Sequence, residues 1–278
     1  TPLMNRSLCH LLLVLCSLCT TASLQAETIT LGGVGGLAPI MQKLADAFMK
    51  QHPEHTVTVM HPPLGTGGGI RALNDGRIDL AMSGRPLKTG ENGHPIPWLK
   101  TPLVLASQGG MLAKGLDPQS LADIYAGRRT QWDNGKPIRV VMRGAQETEL
   151  KALRSLSKAV DEAVELAIKR TDLPIAENDL EALAMLGRIS GSFGTTTLGL
   201  LRLQGEQLKV FPVNGQQPTL DNLQKQHYPL VREYFLVRPA ASKPAASAFL
   251  SFLQSPAALK LAARYEYSPL SAKQADSK

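Results

Sequence analysis

The stretch GTGGGIRALNDGRIDLAMSGRPL, which runs from Gly65 to Leu87, contains the most informative pattern in the chain. Glycines crowd its first five residues, and Ile70 and Leu73 follow on one face of a predicted helix. Gly76 ends that helix, and Ile78 to Met82 has the composition of a strand. A glycine-rich turn that opens a helix exposes backbone N–H groups at the positive end of the helix dipole, so this stretch predicts an anion site.

The same alternation of strand and helix extends towards the N-terminus. Thr28 to Leu31 is a short β-branched run, and the glycine-rich loop Gly32 to Gly36 leads into a helix predicted to end near Lys50. His55 to His61 alternates like a strand. The β-α-β-α-β series favours a mostly parallel sheet with helices on its faces. For either glycine-rich loop alone, close packing of a helix on a strand explains the glycines equally well.

Further along the chain, the strongest helical pattern is Glu147 to Lys169, whose apolar residues form one stripe. Pro102 to Met111 and Tyr228 to Val237 are predicted strands, and the prolines of Pro95 to Thr101 predict a loop.

The order of these motifs resembles the phosphate-binding proteins of ABC importers. In that family a Gly-Ser/Thr-rich loop, a helix and a strand of the form G-x-I/V-D-x-G/A-x-S follow one another, as they do in Gly65 to Leu87. The likeness covers most of the chain and continues in LADIYAGRRTQWDNG (121–135), IRVVMR (138–143), GSFGTTTLG (191–199) and VNGQQPTLDNLQKQHYPLVREYFLV (213–237). The resemblance implies an α/β, two-lobed type II periplasmic-binding-protein fold, in which each lobe is a mostly parallel sheet flanked by helices.

The resemblance also implies how the chain is divided. Lobe 1 would comprise residues 27–114 plus 228–278, and lobe 2 would comprise residues 115–227, with a two-stranded hinge between them. A ligand would lie in the cleft and be enclosed by closure about that hinge.

Site residues are carried over from the family by position. Gly36 and Leu37 belong to the first loop, and Thr66 would donate its hydroxyl while Gly67 and Gly68 donate N–H groups. Arg143 matches the arginine of lobe 2, whose planar guanidinium suits an oxyanion. The remaining predicted ligand-binding residues are Ser83, Arg85 and Thr148.

Three positions depart from the family pattern. Gly36 stands where a threonine is common, and Gly84 stands where an aspartate often accepts a proton from phosphate. The loop Ala145 to Glu149 replaces Asp-Gly-Ser-Gly-Thr and brings two glutamates near the expected oxyanion. Either these glutamates turn away along the helix that they begin, where they would complement its dipole, or the ligand is not simple phosphate.

The first residues predict export. A basic residue, the apolar run Leu8 to Leu18 and a small residue at Ala26 are typical of a signal peptide over residues 1–26, cleaved near Ala26, which would place the protein in the periplasm. An uncleaved anchor and lipid attachment at Cys16 or Cys19 are the alternatives. With Cys9, these are all the cysteines of the chain, so the exported protein would have neither a disulfide nor a thiolate nucleophile.

Several function classes are disfavoured. The net charge is +7, but the basic residues are spread along the chain and aromatic residues make up only 5%, which argues against nucleic-acid binding. His52, His55 and His61 are better explained as surface histidines than as metal ligands. No nucleophile–base pair is apparent, so we expect neither an enzyme nor a cofactor.

The sequence therefore favours a monomeric periplasmic solute-binding protein that captures a small oxyanion, with phosphate as the favoured ligand, and delivers it to an ABC permease. The alternative is a periplasmic sensor or partner-binding module of the same fold, without a transport role and with a degenerate anion site.

Overall fold

The computed structural model describes residues 26–271. The predicted signal peptide with its three cysteines, and the tail beyond Ser271, lie outside the described residues. In chain order the elements are β1 (Thr28–Gly33), α1 (Ala38–Gln51), β2 (Thr56–Val59), α2 (Gly65–Asn74), β3 (Leu80–Ser83), β4 (His94–Ser107), α3 (Pro118–Tyr125), β5 (Arg139–Val140), β6 (Met142–Arg143), α4 (Thr148–Arg154), α5 (Lys158–Ile168), β7 (Ile175–Ala176), α6 (Asp179–Arg188), β8 (Ser192–Thr197), α7 (Leu198–Gln204), β9 (Lys209–Val210), α8 (Leu220–Gln224), β10 (Val231–Arg238), α9 (Pro244–Leu253), α10 (Pro256–Ala263) and β11 (Ser268–Pro269). A single 3-10 turn, Gly35–Leu37, precedes α1.

The main sheet has the strand order β2-β1-β3-β10-β4-β8-β5. Strand β1 is parallel to both β2 and β3, with Thr28 opposite Thr56 and Leu31 opposite Leu80. Strand β10 runs antiparallel between β3 and β4, and the second half of β4 pairs antiparallel with β8. Strand β5 adds in parallel to β8, and β6 and β7 form a separate parallel pair.

Two large hydrophobic cores lie along this sheet. The first surrounds β1 and α1 and includes Phe48, Tyr234 and Phe249. The second lies between β8 and the helices α3, α4 and α5, where Trp132 and Phe193 are fully enclosed. Burial of each such side chain stabilises the fold by about 1.5–3 kcal/mol. Because each core is large, the two parts are stabilised separately.

Strand β4 connects the two cores. Its first half places Leu99 in the first core, and its second half places Leu103 and Leu105 in the second. The chain returns at Leu230, which lies in the second core just before β10. The predicted α/β fold class is confirmed.

Two predictions about local structure were wrong. Pro95 to Thr101 is strand rather than loop, and β4 ends at Ser107 rather than Met111. Prolines lack the N–H that a ladder uses, and the pairing accommodates them with a register irregularity opposite Pro97, between Tyr234 and Phe235.

The predicted long helix Glu147 to Lys169 is two helices, α4 and α5. The helix is interrupted at Ser157, because the hydroxyl of this residue accepts a hydrogen bond from the N–H of Val160 (3.2 Å) and caps the N-terminus of α5. The apolar stripe nevertheless packs into the second core from both helices.

Candidate functional site

A small cavity of about 100 Å³ lies where the two cores face one another. From the side of the first core it is lined by the loop after β1, the start of α2, the loop after β3 and one side chain of β10. From the side of the second core it is lined by β6, the start of α4 and the start of α6. The lining residues are Val34, Gly35, Gly65, Thr66, Arg85, Lys88, Arg143, Gln146, Glu147, Thr148, Lys151, Glu177, Asn178, Asp179 and Arg232. We call this space the cleft.

Four of the predicted site residues line the cleft together, namely Thr66, Arg85, Arg143 and Thr148. Thr66 lies in the first turn of α2, because the predicted glycine-rich turn is part of that helix. Its hydroxyl oxygen accepts a hydrogen bond from the N–H of Gly84 at 2.9 Å. The hydroxyl proton of Thr66 is therefore available for a ligand.

The other predicted residues are not part of the lining. The N–H of Leu37 donates to the carbonyl oxygen of Val34, and Ser83 donates its hydroxyl to the carbonyl oxygen of Arg85 at 2.5 Å. Gly67 and Gly68 lie behind Thr66 in α2, next to the side chain of Arg71. Gly36 borders the cleft, but its N–H already donates to the carboxylate of Asp179.

Arg85 brings no unpaired charge to the cleft. Its guanidinium makes two hydrogen bonds to Glu91, at 2.8 and 2.7 Å. The hydrogen bonds from Arg85, and to a smaller extent the hydrogen bond from the N–H of Lys88, lower the pKa of Glu91 to about 2. The pair is thus ionised together at neutral pH.

Arg143 is the buried cation on the second side of the cleft, 5% exposed. It donates to the carbonyl oxygen of Ala176 on the neighbouring strand β7 at 3.0 Å, which fixes its orientation. Its Nη2 lies 3.5 Å from a carboxylate oxygen of Glu147 and 3.8 Å from Oδ1 of Asp179. Carboxylates therefore already surround the arginine that the sequence assigned to the ligand.

Sequence reasoning missed a second buried arginine, Arg232 on β10. It is 2% exposed, donates to the carbonyl oxygen of Gly84 at 2.8 Å, and places Nε 3.3 Å from Oε1 of Glu149. A Cβ on Gly84 would lie 2.5 Å from Nη2 of Arg232. A side chain at position 84 would therefore require the guanidinium of Arg232 to shift.

Glu149 and Asp179 are the buried acids of the cleft. Burial raises the pKa of Glu149 to about 7. The charge of Arg232 opposes this rise, and the neighbouring Asp179 adds to it. Burial alone would also raise the pKa of Asp179, but Arg232, Arg143 and the N–H of Gly36 outweigh it and lower that pKa. Asp179 is therefore the ionised member, and Glu149 titrates near neutral pH.

The two glutamates that the sequence places near the expected oxyanion differ in burial. Glu147 is partly exposed, whereas Glu149 turns into the protein and pairs with Arg232. Asp179, the first residue of α6, was not among the predicted site residues.

A signal for Arg232 was present in the sequence. Arg232, Tyr234 and Leu236 alternate along β10, and all three are at most 2% exposed. A charged residue in the apolar phase of a strand requires a buried partner.

The histidine cluster has a structural role in the part of the chain that is described. His52 and His55 flank Glu54 and stack with Phe48. Among residues 26–271, no group of three metal-ligating side chains is found.

A larger cavity, about 480 Å³, lies elsewhere, at the edge of the second core beside α3 and β5. Two of its arginines are paired with acids, Arg129 with Asp133 and Arg170 with Asp172. We place the site in the smaller cleft because the buried, opposed charges and the predicted residues converge there. Within the described residues, no helix is long and apolar enough to cross a membrane.

Comparisons with known proteins identify the family and the fold. A family model described as a PBP superfamily domain matches residues 20–257. Protein SphX of Synechococcus elongatus is 26% identical over 91% of this chain and 80% of its own length. The phosphate-binding protein PstS 2 of Streptococcus pneumoniae is 31% identical, but over 37% of this chain and 36% of its own length. A putative phosphate ABC transporter substrate-binding protein from Clostridium perfringens, solved with bound phosphate, superimposes with a TM-score of 0.73 at 18% identity and covers 88% of this chain and 100% of that one.

Proposed function

This chain belongs to the PBP superfamily, and from that premise we propose that it is a periplasmic solute-binding protein that captures a small oxyanion for an ABC importer. Phosphate is the favoured ligand. The relative from Streptococcus is named a phosphate-binding protein, and the similar structure from Clostridium contains phosphate. The residues themselves must nevertheless account for the binding.

The observation that carries the proposal is the convergence of Thr66 and Arg143 on one cavity from opposite sides. Thr66 offers a hydroxyl at the start of α2, where free backbone N–H groups and the helix dipole favour an anion. Arg143 offers a buried, oriented guanidinium. A neutral donor on one side and one arginine on the other provide the contacts that a small oxyanion needs.

We further propose that the two cores act as lobes that close on the ligand, with residues 27–114 plus 228–278 in one lobe and residues 115–227 in the other. The hinge consists of β4 and the segment that leads into β10. There the N–H of Leu103 donates to the carbonyl oxygen of Leu230 at 3.1 Å, and Tyr228 donates its hydroxyl to the carbonyl oxygen of Leu103 at 2.9 Å. Closure about this hinge would also have to shift α7, whose Leu203 packs against the first core.

The cellular setting belongs to the same proposal. The signal-peptide pattern of residues 1–26 supports export to the periplasm, where the protein would act as a monomer and present its ligand to a permease. It would need no cofactor and no nucleic acid.

A second function is favoured by the two buried acids. Glu149 and Asp179 lie beside the arginines that should bind the anion. They support the alternative of a periplasmic sensor or partner-binding module whose anion site is degenerate.

Calorimetric titration of the purified protein with phosphate, sulfate and molybdate separates the two functions. For an importer subunit we expect phosphate binding with a Kd of about 1 µM or tighter, weakened at least 100-fold in Arg143→Ala because the cleft loses its oriented cation. Arg139→Ala is the matched control, since Arg139 is an exposed arginine of the neighbouring strand outside the cleft.

Thr66→Val supplies a second test in case Arg143→Ala does not fold. It should weaken phosphate binding about tenfold, whereas Thr66→Ser keeps the hydroxyl and should bind like the original protein. Failure of the unaltered protein to bind any of the three anions would contradict the importer function and leave the sensor as the better description.

A further inference from the structure

The carboxylate of Asp179 connects the two sides of the cleft. Asp179 begins α6 on the side of the second core, and its Oδ2 accepts a hydrogen bond from the N–H of Gly36 at 2.9 Å. Gly36 belongs to the short 3-10 turn before α1, on the side of the first core. A backbone N–H at the start of helical structure is the kind of donor that binds anions.

Glu149 makes a second connection in the same direction. Its Oε1 lies 3.3 Å from Nε of Arg232, and both side chains are at most 3% exposed. Glu149 lies on α4, next to the second core, while Arg232 lies on β10, next to the first core. Within the described residues, neither oxygen of Glu149 accepts a hydrogen bond, so the ion pair is its main compensation.

These two acids use the groups that an oxyanion would need. Asp179 contacts the N–H of Gly36 and faces Arg143, and Glu149 faces Arg232. The two buried arginines of the cleft thereby each face a buried acid. In this structure, a carboxylate of the protein stands where a bound anion would be stabilised.

We propose that Asp179, supported by Glu149, is an internal competitor of the ligand that holds the cleft closed when no ligand is bound. Binding of an oxyanion then requires the Asp179 carboxylate to leave Gly36 and Arg143. This inference rests on the proposed anion-binding function and specifies how that site is regulated.

The proposal has a thermodynamic consequence. If only a fraction of the molecules has Asp179 displaced, the apparent Kd is the intrinsic Kd divided by that fraction. The protein would therefore bind its anion more weakly than the contacts of Thr66 and Arg143 allow. Removal of the Asp179 carboxylate should strengthen binding.

The test combines phosphate titration with small-angle X-ray scattering of the ligand-free protein. In Asp179→Ala we expect phosphate affinity to rise at least about tenfold, within the usual range of coupling between sites. We also expect the ligand-free radius of gyration to increase and to return to the original value with phosphate. If Asp179→Ala does not fold, Asp179→Asn keeps the volume of the side chain and an acceptor for the N–H of Gly36 but removes the charge beside Arg143, and should give a smaller gain of affinity in the same direction.

Glu147→Ala is the charge-matched comparison. Glu147 also lies beside Arg143, but its side chain is 41% exposed, so solvent screens its charge. Its removal should raise phosphate affinity by at most about fivefold, the value of an exposed ion pair, and leave the radius of gyration unchanged.

Several results would overturn the proposal. One is an equal gain of affinity in Asp179→Ala and Glu147→Ala, which would indicate general electrostatics. Another is weaker binding in Asp179→Ala, which would make Asp179 a group that accepts a proton from the ligand. If the unaltered protein and both Asp179 variants bind no phosphate, the proposed function fails, and the scattering of the ligand-free variants alone decides whether Asp179 holds the cleft closed.

Discussion

The lining of the cleft has a neutral half, formed by the hydroxyl of Thr66 and the backbone at Val34, Gly35 and Gly65, and a charged half. The charged half comprises Arg143, Glu147 and Asp179 on the side of the second core and Arg85, Lys88 and Arg232 on the side of the first. Neutral donors need one hydrogen bond each to compensate their desolvation. Full charges are tolerated in a buried place only when they are paired. The two halves of one site therefore obey different constraints.

The pairing of Arg232 with Glu149 is the strongest test of this difference. Arg232→Met leaves Glu149 buried without its cation, and we expect the free energy of unfolding at pH 8 to fall by about 3–5 kcal/mol. Urea denaturation followed by circular dichroism measures the change. Arg128→Met, which breaks the exposed pair with Asp123, should cost less than about 1 kcal/mol.

The double variant Arg232→Met with Glu149→Met sharpens the result. If the loss comes from an uncompensated charge, removal of both partners should restore most of the stability. An equally unstable double variant would show that the packing of Arg232, rather than its charge, stabilises the cleft.

The pH dependence of stability tests the titration of Glu149. Its pKa is raised in the folded protein to about 7 from an ordinary value of 4.5, chiefly by burial. The folded state therefore binds more protons than the unfolded state between these values, and the free energy of unfolding should fall as pH rises from about 4.5 to about 7, by on the order of 3 kcal/mol.

Glu149→Gln should abolish this decrease, because the glutamine stays neutral. The charged groups that face Glu149 are Arg232 on β10, Arg143 on β6 and Asp179 on α6. The lowered pKa of Asp179 acts in the opposite sense and removes stability only below about its ordinary value of 3.8. Identical pH profiles of the two proteins between pH 4.5 and 7 would contradict the assignment.

Gly36 gives the smallest of the expected effects. A Cβ there would lie 2.6 Å from the hydroxyl of Tyr234 and 3.2 Å from Cγ of Asp179. Gly36→Ala should therefore lower the free energy of unfolding by about 1–3 kcal/mol through overpacking. Addition of Tyr234→Phe removes the crowded hydroxyl and should recover part of the loss in thermal or urea unfolding.

Tyr234→Phe alone is the control, since the hydroxyl of Tyr234 is buried without a hydrogen-bond partner among the described residues. It should be close to neutral. If Gly36→Ala proves harmless, the loop before α1 is less constrained than the structure indicates.

Only part of the neutral half of the site could be predicted from the sequence. Gly65 and Thr66 predict the start of α2, because a glycine and a hydroxyl at the start of a helix can be recognised from the local sequence. Close packing of a helix on a strand, the alternative explanation, accounts for part of the glycine pattern. A Cβ on Gly69 would lie 2.8 Å from Cα of Gly33, so Gly69 is required for the packing of α2 on β1.

The charged half could be predicted only in part. Arg143 follows from the order of motifs, but Asp179 lies 143 positions from Gly36 and Glu149 lies on a different element from Arg232. Residues so far apart carry no local pattern that joins them. Two local predictions failed because local propensity did not decide the structure. Pro95 lies in a strand because β4 is paired there, and the helix breaks at Ser157 because this residue caps α5.

The sequence by itself determined the alternation of strands and helices, the glycine-rich helix start and the family to which the chain belongs, because these depend on short periodic patterns and their order. Only the tertiary structure decided that Asp179 and Glu149 face Arg143 and Arg232 across the cleft. Which buried acid meets which buried cation depends on how the two cores are placed by β4 and β10, and that placement is a property of the folded chain as a whole.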